Sequence, residues 1–317
     1  MNEIPFIFTK TYDFMKINSV PILLSLLGSF LLFFSSCDKS NQGLPYDNIN
    51  DFFFNKGPKT QTFSFDPGYA QTITGTDGTI IKFLPNSFND ASGNLITTTV
   101  VLEMKEILTK GDMIWADLPT DCYSEVLESG GEFYLNASSN GTKVFLNQDF
   151  QMIVPVSSAT VNTDSMQLFI QAMPVPDSPV WVPAVPIVPV NLDVSQTNYD
   201  FYFNSLEWIN VDVFWGTSLA RVDLPINVNT SINQALNTRV YVVFKDINSV
   251  LRGSLRSLNE YMIYSVPEGQ EVSIVVVSMD EEQFYFGIKE TITGSTPVSI
   301  EINPVSEGEI EAAINGF

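Results

Sequence analysis

Residues 61–104 have the sequence QTFSFDPGYAQTITGTDGTIIKFLPNSFNDASGNLITTTVVLEM, in which apolar side chains recur at every second position between turn residues. A period of two is typical of strands with one buried and one exposed face. The alternating residues are Phe63, Phe65, Ile73, Ile81, Phe83, Val100, Leu102 and Met104. Turn sequences such as Asp66-Pro67-Gly68 and Thr76-Asp77-Gly78 separate them. Short strands at this spacing predict a sandwich or barrel.

The same alternation returns in the second half of the chain. The segments that carry it are Tyr199–Phe203, Trp208–Trp215, Val240–Lys245, Val272–Val277 and Phe284–Ile288. Near the C-terminus, Ser306 followed by Glu309 matches a capping box, which predicts a short terminal helix. The predicted fold class is therefore all-β, with two β-sandwich-like domains and a short C-terminal helix.

Proline content divides the two predicted domains. Prolines occupy positions 174, 176, 179, 183, 186 and 189, and their fixed φ and missing N–H groups disfavour a central strand or a helix. Extended connectors and edge strands tolerate such residues. We therefore predict a first sandwich over 60–172, a Pro-rich connector with linking strands over 173–223, and a C-terminal β domain over 224–317.

The N-terminal segment has the pattern of an export signal that ends in a cysteine. Lys16 precedes an apolar run from Val20 to Phe34, and the small residues Ser35 and Ser36 stand directly before Cys37. The run has 15 residues, whereas a membrane span needs about 20. The arrangement resembles the bacterial lipoprotein signal, although Phe34 stands where that signal usually has Leu. The resemblance implies a signal peptide over 1–36, lipid on Cys37 and outer-membrane anchoring, with both the periplasmic and the cell-surface face open.

Two further predictions concern this end of the chain. Translation starting at Met15 would give a better-formed signal than translation from Met1, since Glu3 and Asp13 then fall outside it. Residues 37–59 are predicted to form the lipidated tether, because their first part is polar and contains Asn, Gly and Asp. The aromatic run Phe52–Phe54 is interpreted as the first strand or as a plug on the domain.

Composition excludes several classes of function. The chain carries 15 Lys and Arg against 36 Asp and Glu, a net charge of −21, which disfavours nucleic acid and attraction to anionic lipid. It has no histidine and two cysteines, which excludes Ser-His-Asp and Cys-His nucleophiles and the usual zinc sites. We predict no cofactor and no metal.

A segment of the first predicted domain resembles a known family. Gly75-Thr76-Asp77-Gly78-Thr79-Ile80-Ile81-Lys82-Phe83-Leu84-Pro85-Asn86-Ser87-Phe88 is similar to the opening of ZU5-type β-sandwich domains. Asp112–Ile114, Leu118–Thr120 and Leu127–Tyr134 look like the version found in secreted proteins of Bacteroidetes-type bacteria. The resemblance covers roughly 71–137 and implies a role in protein interaction. Some relatives cleave themselves at a His-Phe-Ser site, which this histidine-free chain lacks.

Three sets of side chains are candidates for reactive or metal-binding sites. Glu125, Glu128 and Glu132 surround Gly130-Gly131 and offer paired carboxylates of the kind glycoside hydrolysis uses. The glycines are better explained by a β-bulge or a close backbone approach. Asp112 with Asp117 and Asp121, or Asp77 with Asp90, offer oxygen ligands for calcium, but solvated turn residues are the commoner case. Cys122 is expected to be a buried, inert thiol.

The strand-like segment from Trp208 to Phe214 carries the candidate ligand face. Alternation places Trp208, Asn210, Asp212 and Phe214 on one side. An amide and a carboxylate between aromatic rings suit a sugar, but they also suit a face covered by the preceding domain. The covered face is favoured, because exposed Trp and Phe rings are costly in water. The predicted function is a lipid-anchored, non-catalytic interaction or structural module of the cell envelope with a protein partner. The alternative is a carbohydrate-binding or carbohydrate-processing envelope lipoprotein.

Overall fold

The chain folds into two β-sandwiches and a layer of short helices. The structure is a computed structural model that describes residues 44–317, except for 124, 158–159, 161–164, 172–179, 189, 194–195 and 231–234. Strands account for 52% of the described residues, and this part of the chain has three short α-helices, one of them C-terminal. The predicted all-β sandwich class is therefore confirmed. The signal segment 1–36 and Cys37 lie outside the described residues. Within the described ranges, no helix is both long and apolar enough to cross a bilayer.

The first sandwich consists of two antiparallel sheets, named A and B here. Its strands are β1 (Gln61–Phe65), β2 (Gln71–Thr74), β3 (Ile80–Phe83), β4 (Phe88–Asn89), β5 (Val100–Ile107), β6 (Asp121–Cys122), β7 (Glu125–Ser139), β8 (Thr142–Lys143), β9 (Phe145–Leu146), β10 (Phe150–Pro155), β11 (Gln167–Gln171), β12 (Trp181–Pro183), β13 (Asn191–Leu192), β14 (Asn198–Phe203) and β15 (Glu207–Phe214). Sheet A has the order β1-β5-β7-β15-β11-β12, with β6 and β8 paired to β7. Sheet B has the order β13-β14-β10-β3-β2, and β4 and β9 form a separate ribbon.

The core of this sandwich contains the alternating side chains that the sequence singled out. Ile81 and Phe83 of sheet B meet Val100, Leu102 and Met104 of sheet A in one apolar cluster, each at most 1% exposed. Phe63 and Phe65 pack against its edge. Because every second residue of each strand points inward, these positions follow directly from the period of two.

The strands β14 and β15, which sequence analysis assigned to the segment between domains, belong to the first sandwich. β14 pairs with β10 in sheet B, and β15 lies in the middle of sheet A between β7 and β11. The Pro-rich segment before them contributes β12 and β13, which are the outermost strands of their sheets. Pro183 closes β12 at that edge, where a missing N–H costs no ladder hydrogen bond.

The second sandwich consists of sheets C and D. Its strands are β16 (Arg221–Asn229), β17 (Thr238–Phe244), β18 (Val250–Arg252), β19 (Ser254–Ser257), β20 (Glu260–Pro267), β21 (Glu271–Met279), β22 (Phe284–Ile292), β23 (Val298–Glu301) and β24 (Asn303–Val305), and a 3-10 turn covers Ala235–Asn237. Sheet C has the order β19-β20-β16-β23, and sheet D has the order β18-β17-β21-β22-β24. Leu224, Ile226, Val240, Val242 and Ile274 lie in the core between them.

Three helices cover the outer face of sheet D. They are α1 (Ile49–Lys56), α2 (Lys110–Ala116) and α3 (Glu307–Ile314). Their apolar residues form one cluster with Tyr241, Val275 and Phe284 of the sheet. Helix α3 begins with the predicted capping box, in which the Ser306 and Glu309 side chains each accept a hydrogen bond from the other's backbone N–H.

The aromatic run Phe52–Phe54 lies in helix α1, so its interpretation as a first strand is wrong and the plug interpretation holds. Asn48 caps the helix by accepting hydrogen bonds from the N–H groups of Asn50 and Asp51. Ile49, Phe52 and Phe53 are buried at helical spacing, whereas Phe54 is 75% exposed. A period of two would have buried Phe54 together with Phe52.

Candidate functional site

The candidate face of β15 is organised by a bulge in its neighbour β7. Val211 is opposite Gly131 and Asp212 is opposite Ser129, so Gly130 is the extra residue. A Cβ on Gly130 would stand 2.8 Å from the Tyr199 ring, and Gly131 has a φ of +138°. The bulge and the close approach that sequence analysis assigned to these glycines are confirmed. They place Asn210 opposite Glu132 on the outer side of sheet A.

Aromatic and apolar side chains cover this outer side. The Trp208 ring lies 5.2 Å from the Tyr134 ring and 6.4 Å from the Trp181 ring, and the Phe214 ring lies 5.3 Å from Phe169. Cys122 and Leu127 complete the cluster. Trp208 and Phe214 are half-buried, and Asn210 and Asp212 are fully buried. The four residues therefore share a face as predicted, but that face is closed to a glycan in this structure.

Beneath the aromatic cover lies a cluster of carboxyl groups, named the acid cluster here: the half-buried Asp121 and the buried Glu132 and Asp212. Glu132 and Asp212 are fully buried. Asp212 Oδ2 accepts a hydrogen bond from Asn210 Nδ2 at 2.6 Å. Asp212 Oδ1 and both carboxyl oxygens of Glu132 have no hydrogen-bond partner among the described residues. A buried carboxylate without partners is costly, so these groups favour the neutral form.

The pKa values of the acid cluster follow from this burial. Burial raises the pKa of Glu132 well above its usual range, and the neighbouring Asp212 raises it further. Burial also raises the pKa of Asp212, against a lowering by Ser129 and Asn210. The pKa of Asp121 rises to about 7 for the same reason. The cluster therefore keeps its protons to a higher pH than the unfolded chain does, since free carboxyls titrate near pH 4.

Cys122 adjoins the cluster and is buried, as expected. It is a free, buried cysteine. Burial raises the pKa of its thiol, and the charges of Asp121 and Glu125 raise it further. Reactive cysteines have the opposite environment, electropositive and exposed.

The three glutamates around the bulge do not form a pair of catalytic carboxylates. Glu125 forms a salt bridge to Arg221, with 2.6 Å between its Oε2 and Nη2 of the arginine. Glu128 is opposite Val213 and Glu132 is opposite Asn210. Because Val213 and Asn210 are three residues apart in an alternating strand, the two glutamates face opposite sides of sheet A. Without the extra residue at the bulge they would have shared one side.

The aspartates weighed as calcium ligands serve local roles. Asp112 completes a capping box with Thr109, and Asp117 binds Arg239, Arg252 and the Tyr241 hydroxyl. Asp90 accepts hydrogen bonds within its own turn from Ser92 and Asn94. In the part of the chain that the structure describes, no group of three Asp, Glu, Cys or His side chains is placed to hold a metal ion.

A different face, which sequence analysis did not single out, is open. Thr72, Lys82, Gln151 and Tyr202 form one row across β2, β3, β10 and β14 on the outer side of sheet B. Tyr202 is 59% exposed. In the next row Asp200 accepts both hydrogen bonds of the Gln151 amide at 2.9 Å. The available signal was the alternation in 198–203, where Phe201 and Phe203 point into the core and Asp200 and Tyr202 point out.

Comparison with known proteins does not assign the chain to a family. No family model matches it, and no curated protein is similar enough to count as a match.

Proposed function

We propose that the protein is a lipid-anchored protein of the cell envelope that acts as a non-catalytic interaction or structural module, with a ZU5-like first sandwich. The observation that carries the proposal is the sequence from Lys16 to Cys37, an apolar run followed by small residues and a cysteine. Only the thiol of that cysteine can take a thioether-linked lipid. Several acyl chains on one residue hold a protein stably at a membrane, whereas a single chain holds it only marginally.

The folded part supports a role without catalysis. Asp112, Asp117 and Glu125 are engaged in a capping box and salt bridges, and Glu132 is buried in the acid cluster. The strongly acidic surface keeps neighbouring copies apart, which suits a protein concentrated in the plane of a membrane. The partner in this proposal is another envelope protein, as in the ZU5-type domains that mediate protein interactions.

The first prediction tests the anchor. The variant Cys37→Ala should carry no lipid and should leave the membrane fraction, because the acceptor thiol is gone. The variant Cys122→Ser is the matched control and should keep its lipid, since Cys122 is buried in the folded domain. Intact mass of the purified protein together with membrane fractionation measures both results. Lipid attached to Cys37→Ala would refute the anchoring residue.

A second function, binding of carbohydrate, is favoured by the open face of sheet B. Tyr202 offers an exposed ring, Lys82 offers donors and Asp200 offers acceptors on one side of the sheet. Sugars are bound by such rings flanked by hydrogen-bonding groups, since a sugar has both apolar faces and hydroxyl groups.

The second prediction tests this alternative. On the carbohydrate proposal, Tyr202→Ala should lower binding to a panel of soluble mannan, xylan and dextran at least tenfold while leaving the melting temperature within about 2 °C, as expected for an exposed side chain. Tyr264→Ala, which removes an exposed tyrosine from the second sandwich, should leave binding unchanged. Isothermal titration of each variant with each polysaccharide measures the binding. Equal binding by wild type and Tyr202→Ala would refute this face as the site.

A further inference from the structure

Leu44 and Tyr46, at the start of the described chain, are bound to the folded body by hydrogen bonds. The Leu44 N–H donates to the Glu281 carbonyl oxygen at 3.2 Å. The Tyr46 hydroxyl donates to Glu307 at 3.0 Å, and its ring lies 6.1 Å from that of Phe284. Residue 44 is thus held at the turn between β21 and β22, beside helix α3.

Helix α1 holds the following residues equally firmly. Ile49, Phe52 and Phe53 are at most 4% exposed, in the apolar cluster between the three helices and sheet D. Lys56 at its end forms salt bridges with Glu307 and Glu311 of α3, which lift the pKa of the lysine above its usual range. Residues 44–56, more than half of the predicted tether 37–59, are therefore part of the folded body and do not act as a flexible linker.

The chain left between the anchor and the body is short. Six residues, 38–43, separate Cys37 from Leu44. Seven steps between Cα atoms span at most about 25 Å even when fully extended, at roughly 3.5 Å per residue. This limit depends only on the number of residues, and it is about a third of the reach that the full tether 37–59 would have allowed.

We propose that the surface around Leu44 faces the lipid bilayer in the anchored protein. This surface, named the anchor face, comprises residues 44–47, the turn 280–283 and helix α3. The inference rests on the proposed lipid on Cys37 and adds an orientation to it. A tether this short keeps Leu44, and with it the anchor face, on the membrane side of the body, with Leu44 within about 25 Å of the lipidated cysteine.

The charge of the anchor face defines how it meets the membrane. It carries acidic residues and, beside them, Lys56; the acidic residues are Asp47, Asp280, Glu281, Glu282, Glu307, Glu309 and Glu311. Such a surface has no affinity for anionic lipid and does not insert into a bilayer. The anchor face therefore approaches the membrane only because the lipid and the short linker hold it there. The lipid surface that it fits is a neutral one.

The third prediction tests the orientation by energy transfer from a dye on the protein to a rhodamine-labelled lipid. The lipidated full chain, in a Cys122→Ser background, carries the dye at Glu282→Cys in the anchor face or at Thr142→Cys in the β7–β8 hairpin. Both positions are exposed. The hairpin follows the C-terminal end of β7, whereas Val126, near the N-terminal end of the same strand, packs in the core of the second sandwich. The two ends of β7 are separated by about 13 residues, or roughly 40 Å.

In phosphatidylcholine vesicles, transfer from position 282 should exceed transfer from position 142 at least twofold. Inserting 20 Gly and Ser residues after Ser40 should remove most of this difference, because the longer linker frees the body to turn. Equal transfer from both positions in the original chain, with lipid confirmed by mass and the protein bound to vesicles, would overturn the orientation and leave the anchor intact. Absence of the lipid by mass would overturn the anchor and the orientation together.

Discussion

Replacing Phe52 with alanine should lower the free energy of unfolding by about 3 to 5 kcal/mol, the range for a fully buried aromatic residue. Its side chain is 0% exposed. Its ring lies 4.4 Å from that of Phe284, 5.6 Å from that of Trp115 and 5.1 Å from that of Tyr46. These rings belong to sheet D, helix α2 and the segment before α1. The substitution therefore leaves a cavity where three parts of the fold meet.

Phe54 provides a matched control two residues away in the same helix. It is 75% exposed, and the Nζ of Lys105 lies 5.9 Å from the centre of its ring. Phe54→Ala should change the free energy of unfolding by at most about 0.5 kcal/mol. Urea unfolding followed by tryptophan fluorescence measures both variants. Similar small losses for Phe52→Ala and Phe54→Ala would mean that helix α1 is not docked, and the short linker would then lose its support.

The second large effect concerns the pH dependence of stability. Glu132→Gln and Asp212→Asn should each make the protein more stable at neutral pH and flatten the fall of stability as the pH rises above about 4. Both carboxyls have native pKa values raised by burial. The native state therefore keeps protons that the unfolded chain loses above about pH 4. When the native state binds more protons, the free energy of unfolding falls as the pH rises.

The expected slope follows from this proton difference. Above the unfolded pKa and below the native pKa, each such carboxyl costs about 1.4 kcal/mol of stability per pH unit. For Asp121, with a native pKa of about 7, this window runs from about pH 4 to pH 7. Below about pH 4 both states are protonated and this cost is absent, and it grows as the pH rises toward the native pKa. The amide variants cannot lose a proton, so their own part of the slope disappears.

Chemical unfolding of wild type and variants at pH 5, 6, 7 and 8 measures this effect. Glu282→Gln is the control, since Glu282 is exposed in a turn and its replacement should leave the slope unchanged. If Glu132→Gln and Asp212→Asn both have the slope of wild type, the two carboxyls are ionised in the native state, and the buried acid cluster must then be hydrated.

Several features follow from the sequence because their causes are local. The period of two in 61–104 identified which side chains of each strand lie in the core, since alternate residues of a strand point to opposite faces. The capping box at Ser306 and Glu309 located the last helix within a single turn of chain. The glycines at 130 and 131 indicated the bulge because they allow a backbone conformation and an approach that other residues resist.

Other features depend on which segments, distant in the sequence, pack together, and the alternation of apolar residues does not predict those contacts. It separated the two faces of β15 but did not indicate that aromatic rings and β6 would cover the face with Asn210 and Asp212. It did not show that β14 and β15 complete the first sandwich, since strand pairing joins residues as far apart as Glu132 and Asn210. Helix α1 was not predicted, because three adjacent phenylalanines are equally compatible with a strand and with a helix. Sheet D and α3 provide the surface that buries two of them at helical spacing. The sequence pattern shows how side chains alternate along a strand. Burial of each face depends on which other segments pack against it, and only the tertiary structure determines those segments.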